Sequence, residues 1–479
     1  MSGPHVAVVG GGITGLATAQ RLLTMANGSP IEVTVLESSD RLGGKLFTVD
    51  VDGTRVEAGA DSFVVRKPWA VELAKELGLG GELVVPAANR AFVWTRGRLV
   101  PLPARSAFGI PPSAVALLRW AGLSARGRLR AATEFLRPIR RADDDESIGS
   151  LLRRRLGGEA ARVLVGPLLA GLHAGDPDRL SVRATFPELV SWEQGHDSLI
   201  RGARAALKAA EEAAGDLSAA LFTTVWGGLS RLTDTLEHAI GSERIRLHEP
   251  ALAFRARERG FVVQTSKEEL EADAVVVASP AFEAGRLVEL LLPDAACELQ
   301  AIPYASTATV ALVYPEGSGE RLPQGSGFVV PQGERTITAC TWLSRKWPAG
   351  EDDAGRAVVR CFVGRAGDER ALALPDDELT DRVRAEVALA VPALRDLPDA
   401  TLVTRWDRAM PQYEVGHLAR LERIERAILR VPGVFLAGSA YRGIGIADCV
   451  RQGQEAAARV RDYLHGRAAP AAPLQQEVR

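Results

Sequence analysis

Six residues near the start, Gly10-Gly11-Gly12-Ile13-Thr14-Gly15, have the types and spacing that hold a pyrophosphate. In a GxGxxG turn between a strand and a helix, the first glycine makes the tight bend. Gly12 lets the backbone approach the phosphates, and Gly15 lets helix and strand pack closely. The anion then sits on the helix N-terminus, where unpaired N–H groups and the dipole favour negative charge. Glu37 follows 22 residues after Gly15. A carboxylate there accepts hydrogen bonds from an adenosine ribose and repels a 2′-phosphate. Taken alone, the turn also fits an ordinary Gly-rich loop, and Glu37 a surface residue at a strand end. The discriminating piece is Arg41-Leu42-Gly43-Gly44-Lys45. A nicotinamide site has no common need of a second glycine pair here, whereas an extended FAD must pass close to a second loop. Glu57-Ala58-Gly59-Ala60-Asp61-Ser62 is a further small-residue stretch after a strand, placed to run near a flavin ring. Gly443-Ile444-Gly445-Ile446-Ala447-Asp448 leads into a helix whose positive end can face the flavin N1–C2=O edge, where reduction places negative charge.

These residues require a parallel sheet assembled from both ends of the chain. His5-Val6-Ala7-Val8-Val9 reads as a buried strand, 16–25 as an amphipathic helix and 31–37 as the next strand, a βαβ unit. The end returns to a buried strand at 433–438 and a helix over 447–464. Between them, 86–110 reads as short strands with Pro-rich turns and 112–215 as largely helical. A meander over 244–266 precedes the buried strand DAVVVASP, and 300–410 alternates strands with a helix near 376–391. The fold class is therefore α/β: a discontinuous Rossmann-like FAD-binding domain (1–85, 218–285 and 405–465) carries two insertions. One is an α+β substrate-binding domain (86–111 and 286–404), the other a mostly helical domain (112–217). The Ala/Pro-rich 466–479 reads as a disordered tail.

Composition agrees with a globular chain of two to four domains at roughly 150 residues each. Hydrophobic residues make up 46% and charged residues 25% of the 479 positions, and the net charge of −2 argues against nucleic acid as a partner. Cys297, Cys340, Cys361 and Cys449 form no CxxC pair, so no metal site is expected. No apolar run approaches the roughly 18 residues of a membrane span. The start MSGPHVAVVGGG enters a strand directly, which sets the expectation of a cytoplasmic protein with reduced thiols.

Taken together, GGGITGL (10–16), LESSDRLGGK (36–45), EAGADSFVVRKP (57–68), GLHAGDPDRLSVRATFPEL (171–189), WDRAMPQYEVGH (406–417) and GIGIADCVRQG (443–453) resemble the FAD-dependent amine oxidase superfamily. Within it the chain is similar to the protoporphyrinogen/coproporphyrinogen oxidase family, most of all its soluble bacterial branch, which oxidises coproporphyrinogen III to coproporphyrin III. The resemblance implies noncovalent FAD, a tetrapyrrole substrate, and O2 as terminal acceptor giving H2O2. A bridging methylene carbon would give a hydride to flavin N5, the cofactor carrying the chemistry. The implied FAD contacts are Gly10, Gly11, Gly12, Ile13, Thr14, Gly15, Glu37, Ser38, Arg41, Gly44, Lys45, Gly59, Ala60, Asp61, Ser62, Ala251, Trp406, Ile444, Gly445 and Ile446. The implied substrate contacts are Arg66 and Lys67 for propionates and Leu172 and His173 beside the ring, although His173 stands where relatives commonly have tyrosine. No catalytic side chain is singled out.

Protoporphyrinogen IX is the alternative substrate. An amine oxidase is disfavoured because Thr309 stands where many such enzymes carry a lysine, and no cysteine near 406–413 would tether the flavin. A flavin-binding protein without turnover would carry the same motifs. The arginine-rich stretch from Arg119 to Arg141 reads as a solvated helix face. The rival reading is peripheral membrane contact or transient docking to the next haem-pathway enzyme.

Overall fold

The structure is a computed structural model that describes residues 3–25, 30–88, 90–140, 144–212, 220–348 and 355–468. By internal contacts the chain divides into two compact units, one of 1–45, 232–301 and 421–479, the other of 46–231 and 302–420.

The first unit is built on a five-stranded parallel sheet in the order Ile245–Arg246, Glu32–Leu36, His5–Val9, Ala274–Val277, Val434–Leu436. The two central strands are near-continuous valine and alanine, and nearly all of these side chains are buried. That is the pattern of strands covered on both faces. The helix Ile13–Thr24 makes the first crossover, starting three residues before the apolar periodicity suggests, because Gly15 already lies in its first turn. A Cβ on Gly15 would collide with the carbonyl oxygen of Gly10. The last helix, Ile446–Ala468, packs on the first: a Cβ on Gly453 would stand 2.5 Å from the Thr14 carbonyl oxygen. Thr18 Oγ1 donates to the carbonyls of Thr14 (2.8 Å) and Gly453 (3.2 Å) across that contact. This helix runs three residues into the stretch expected as a tail, and 469–479 lie outside the described residues. The meander is the antiparallel sheet Ala251–Ala256, Phe261–Thr265, Glu269–Ala272.

The second unit holds a seven-stranded sheet in the order Ala400–Pro411, Tyr304–Val313, Val358–Val363, Ile337–Trp342, Gly327–Val329, Ala91–Thr95, Arg98–Pro101. All pairs are antiparallel except Gly327–Val329 with Ala91–Thr95. Helices between Ala114 and Glu212 share a core that includes Leu117, Trp120, Leu151, Leu164 and Leu189. Ser113, Ser124, Ser147 and Ser181 cap four of them, each accepting the backbone N–H three residues on.

A buried ion pair ties this helical layer together. Arg155 and Glu134 are both fully buried. Arg155 Nε donates to Glu134 Oε1 at 2.6 Å, and its Nη2 reaches the Asp197 carbonyl at 2.8 Å. Ser198 Oγ and the Leu199 N–H donate to the same carboxylate, at 2.6 and 3.1 Å. Removing one partner strands the other charge in protein, so Arg155→Met should cost about 3–5 kcal/mol. The denaturant midpoint should fall accordingly, and adding Glu134→Gln should restore part of the loss.

Candidate functional site

In the first unit the glycine turn, the Glu37 carboxylate and the 41–44 loop are bonded to one another. Gly10 has φ +112°, open to glycine alone without strain. The Gly11 N–H donates to Glu37 Oε2 at 2.7 Å, and the Ser39 N–H and Oγ both donate to Oε1 at 2.8 Å. The carboxylate of Glu37 is thereby held at the end of its strand, beside Ser38. Gly43 donates to the Gly11 carbonyl at 2.9 Å, laying the second glycine loop along the first. Arg41 folds back onto the carbonyls of Leu42 (3.1 Å) and Gly44 (2.7 Å), bracing that loop from within. The Glu249 N–H donates to the Glu37 carbonyl at 2.9 Å, which brings Ala251, buried at the head of its strand, close to the same corner.

Three features of this corner fit a phosphate-bearing group. Space is open where a Cβ on Gly12 would stand. Gly12 is the N-cap of the Ile13–Thr24 helix with no side chain capping it and no acidic residue in the first turn. Lys45 is half-buried, desolvation pushes its ammonium pKa down, and among the described residues no carboxylate pairs with it. Its titratable neighbour is Cys449, whose thiol burial pushes up to about 11 and so keeps neutral. Cys449 lies in the first turn of the Ile446–Ala468 helix and donates its N–H to the Gly445 carbonyl at 2.9 Å. The structure thus brings Lys45 to the Ile444, Gly445 and Ile446 turn.

In the second unit, residues 57–62 are fixed by buried side chains of the seven-stranded sheet. Arg360 Nη1 donates to the carbonyls of Glu57 (2.7 Å) and Gly59 (2.6 Å). Thr309 Oγ1 donates to the Ala58 carbonyl at 2.8 Å and Trp406 Nε1 to the same oxygen at 3.1 Å. Asp61 pairs with Lys346 at 2.6 Å and lies 3.5 Å from Arg360. Burial opposes ionisation of Asp61, yet Arg360 and Lys346 outweigh it and hold the carboxyl well below its usual range. Burial pushes the Glu57 carboxyl up to about 7, against the opposing pull of the Leu229 N–H and Arg360. Sequence reasoning singled out Trp406 and Thr309 separately, and the structure puts both on one carbonyl. It missed Arg360 and Lys346. The signal for Arg360 was there, an arginine inside the apolar run AVVRCFVG; Lys346 has no such mark.

The expected substrate residues also lie in this unit. Arg66 is exposed, 3.3 Å from Glu188, with its guanidinium 5.4 Å from the Phe108 ring centroid. Lys67 is half-buried just before the helix Trp69–Glu76. Leu172 is 53% exposed whereas its neighbour His173 is 5% exposed, the reverse of their polarities. The His173 ring packs 5.9 Å from Phe186 and 5.6 Å from Tyr413, and Nδ1 has no hydrogen-bond partner among the described residues. Phe108 and Phe186 lie 5.5 Å apart, so Arg66 and His173 are ends of one chain of ring contacts. Gln412 Nε2 donates to the His173 carbonyl at 2.9 Å, and the Ser181 N–H to the Tyr413 carbonyl at 2.8 Å. The two runs 171–189 and 406–417 are therefore packed on each other.

The arginine-rich stretch occupies the helices Ala114–Arg119 and Ala125–Ala132 and the turn Glu134–Leu136; Arg141 lies outside the described residues. Val115, Leu118, Leu129, Phe135 and Leu136 are exposed among its arginines. Among the described residues no helix is long and apolar enough to cross a membrane.

The profile of flavin containing amine oxidoreductases matches residues 13–461. The chain is 36% identical over 473 residues to the coproporphyrinogen III oxidase of Bacillus subtilis, covering 96% of this chain and 98% of that protein. It is 31% identical over 466 residues to the coproporphyrinogen III oxidase of Staphylococcus aureus, covering 95% and 98%. Among solved structures, a candidate protoporphyrinogen oxidase from Exiguobacterium superposes with a TM-score of 0.84 at 32% identity, covering 97% of this chain and 100% of that one.

The burial of His173 makes a pH prediction. Burial first, then the nearby charge of His417, lowers its pKa from 6.5 to about 4. The unfolded chain therefore binds this proton more readily, and the native state is favoured only above that range. Stability should be full above about pH 6.5 and fall by about 3 kcal/mol as the pH drops toward 4. Denaturant titrations at pH 7 and pH 4.5 should show His173→Phe losing less stability than the parent between the two.

Proposed function

The chain belongs to the flavin containing amine oxidoreductase family, which makes it a flavin-dependent oxidoreductase, and we propose that it oxidises coproporphyrinogen III to coproporphyrin III in haem biosynthesis. The observation that carries this reading is the contact between the runs 171–189 and 406–417, the two stretches whose residues resemble the porphyrinogen branch. When bound, noncovalent FAD supplies a two-electron acceptor at N5 for hydride from a bridging methylene, with O2 as the terminal acceptor giving H2O2.

The chain's own part is binding and electrostatics. The open face of Gly12, the uncapped N–H groups at Ile13 and Thr14, and the unpaired ammonium of Lys45 would take the pyrophosphate. Glu37, its carboxylate fixed by Gly11 and Ser39, would accept from the adenosine ribose, with Ser38, Arg41, Gly44 and Ala251 shaping that corner. Ile444, Gly445 and Ile446 and the helix they start would face developing negative charge on the ring. Residues 59–62 and Trp406 would serve the ring end of the cofactor. Arg66 and Lys67 would meet propionates as cations, and the exposed Leu172 would lie against the tetrapyrrole. His173, buried and neutral, would support Leu172 through packing. No cysteine stands between 406 and 413 to tether a flavin.

Protoporphyrinogen IX is the second reading, favoured by the similarity to the Exiguobacterium structure. Purified protein with FAD, coproporphyrinogen III and O2 should produce porphyrin fluorescence well above the spontaneous rate, with kcat/KM higher than for protoporphyrinogen IX. The reverse order would assign the second substrate, and no rise above the spontaneous rate would end the enzyme reading. Lys67→Met should raise KM for coproporphyrinogen III roughly tenfold with little change in kcat, the loss of one charge-assisted contact of about 1.5 kcal/mol. We also propose lipid contact for the helices bearing Leu118, Leu129, Phe135 and Leu136, whose exposed apolar side chains alternate with arginines. The protein should sediment with phosphatidylglycerol vesicles at low salt and not at high salt; no sedimentation at low salt rules this out.

A further inference from the structure

The carbonyls of Glu57, Ala58 and Gly59 all point into the seven-stranded sheet, where Arg360, Thr309 and Trp406 donate to them. A trans peptide sets its C=O and N–H on opposite sides, and the described residues contain no cis peptide. The carbonyl of Ala58 shares its peptide with the N–H of Gly59, and that of Gly59 with the N–H of Ala60. Anchoring the two oxygens therefore turns the two N–H groups away from the sheet. Among the described residues neither N–H finds an acceptor, although the preceding N–H, of Ala58, donates to the Phe47 carbonyl at 2.8 Å. Both residues are half-buried. Two adjacent main-chain donors are thus held rigidly, without protein partners, at the small-residue stretch.

The anchor is costly to build, which argues against an incidental arrangement. Arg360 is 2% exposed and carries a full charge. One nitrogen of its fork serves two carbonyls, while the other lies 3.5 Å from Asp61 Oδ2. Lys346 adds a second cation on that carboxylate at 2.6 Å, and Ser62 Oγ donates to its other oxygen at 3.0 Å. The side chains of 61 and 62 are thereby pulled into the same network that fixes 57–59. Shortening the fork would free at least one carbonyl and let the peptides rotate.

We propose that Arg360 is a positioning residue that, with Thr309, aims the N–H groups of Gly59 and Ala60 at an acceptor atom of the flavin ring. This rests on the assignment of FAD to this chain. Donors fixed beforehand cost no reorganisation when electron density arrives, so they stabilise the reduced ring more than the oxidised one. Thr309 then has a role of its own at the position where a lysine is absent: it holds a carbonyl. Trp406 acts on the same oxygen from the neighbouring strand.

The test is the midpoint potential and visible spectrum of the bound flavin in full-length holoprotein. Arg360→Lys keeps the charge beside Asp61 but loses the fork. It should weaken the preference for reduced flavin about tenfold, a downward shift of about 30 mV for a two-electron couple, with an altered visible band. Thr309→Val, which removes one of two donors to Ala58, should shift the potential in the same direction by less. It decides the matter where Arg360→Lys does not fold. Variants that hold FAD with the parent's potential and spectrum overturn the inference and leave the cofactor assignment standing. A parent protein that takes up no FAD overturns both.

Discussion

Where two backbone segments must approach closer than a side chain permits, only glycine serves, and the first unit is organised around such approaches. The helix Ile13–Thr24 can leave its strand at this angle because Gly15 brings no Cβ against the Gly10 carbonyl. The last helix can lie on the first because Gly453 leaves room for the Thr14 carbonyl. Each fixes where helix N-termini and their unpaired N–H groups stand. The half-buried Lys45 ammonium, with no carboxylate paired to it among the described residues, adds a positive charge to that corner. Packing thus comes first and the anion preference follows from it.

The second unit solves a different problem with buried charge. Arg155 and Arg360 are each almost wholly enclosed, and each is satisfied by main-chain carbonyls as well as by carboxylates, Glu134 and Glu193 for the first and Asp61 for the second. A guanidinium has donors enough to fasten several carbonyls at once. In the helical layer this joins the ends of separate helices; on the sheet it dictates the peptide orientation of residues 57–59. The price in desolvation is offset only when every partner is present.

Much of this was legible in the sequence. The apolar runs at 5–9 and 274–277 announce doubly covered strands, and the glycines at 10–15 and 43–44 announce close backbone approaches, because local spacing alone determines them. The belonging of 57–62 with Trp406 rested on resemblance, and the structure connects them through one carbonyl. Arg360 was not read because its partners lie some 300 positions upstream. Leu172 and His173 show the limit from another side. Hydropathy would bury the leucine and expose the histidine, but the end of their helix turns the opposite way to let the ring join Phe186 and Tyr413.

The sheet order of the first unit bears on how the molecule is made. His5–Val9 emerges from the ribosome early, yet its neighbour Ala274–Val277 and that strand's own neighbour Val434–Leu436 are synthesised far later. The covering helix Ile446–Ala468 follows both in chain order. A nascent chain must therefore carry an unfinished parallel sheet, with valine-rich strand edges open to neighbours, until those segments are made. This unit is complete only once those later segments have joined the first strand.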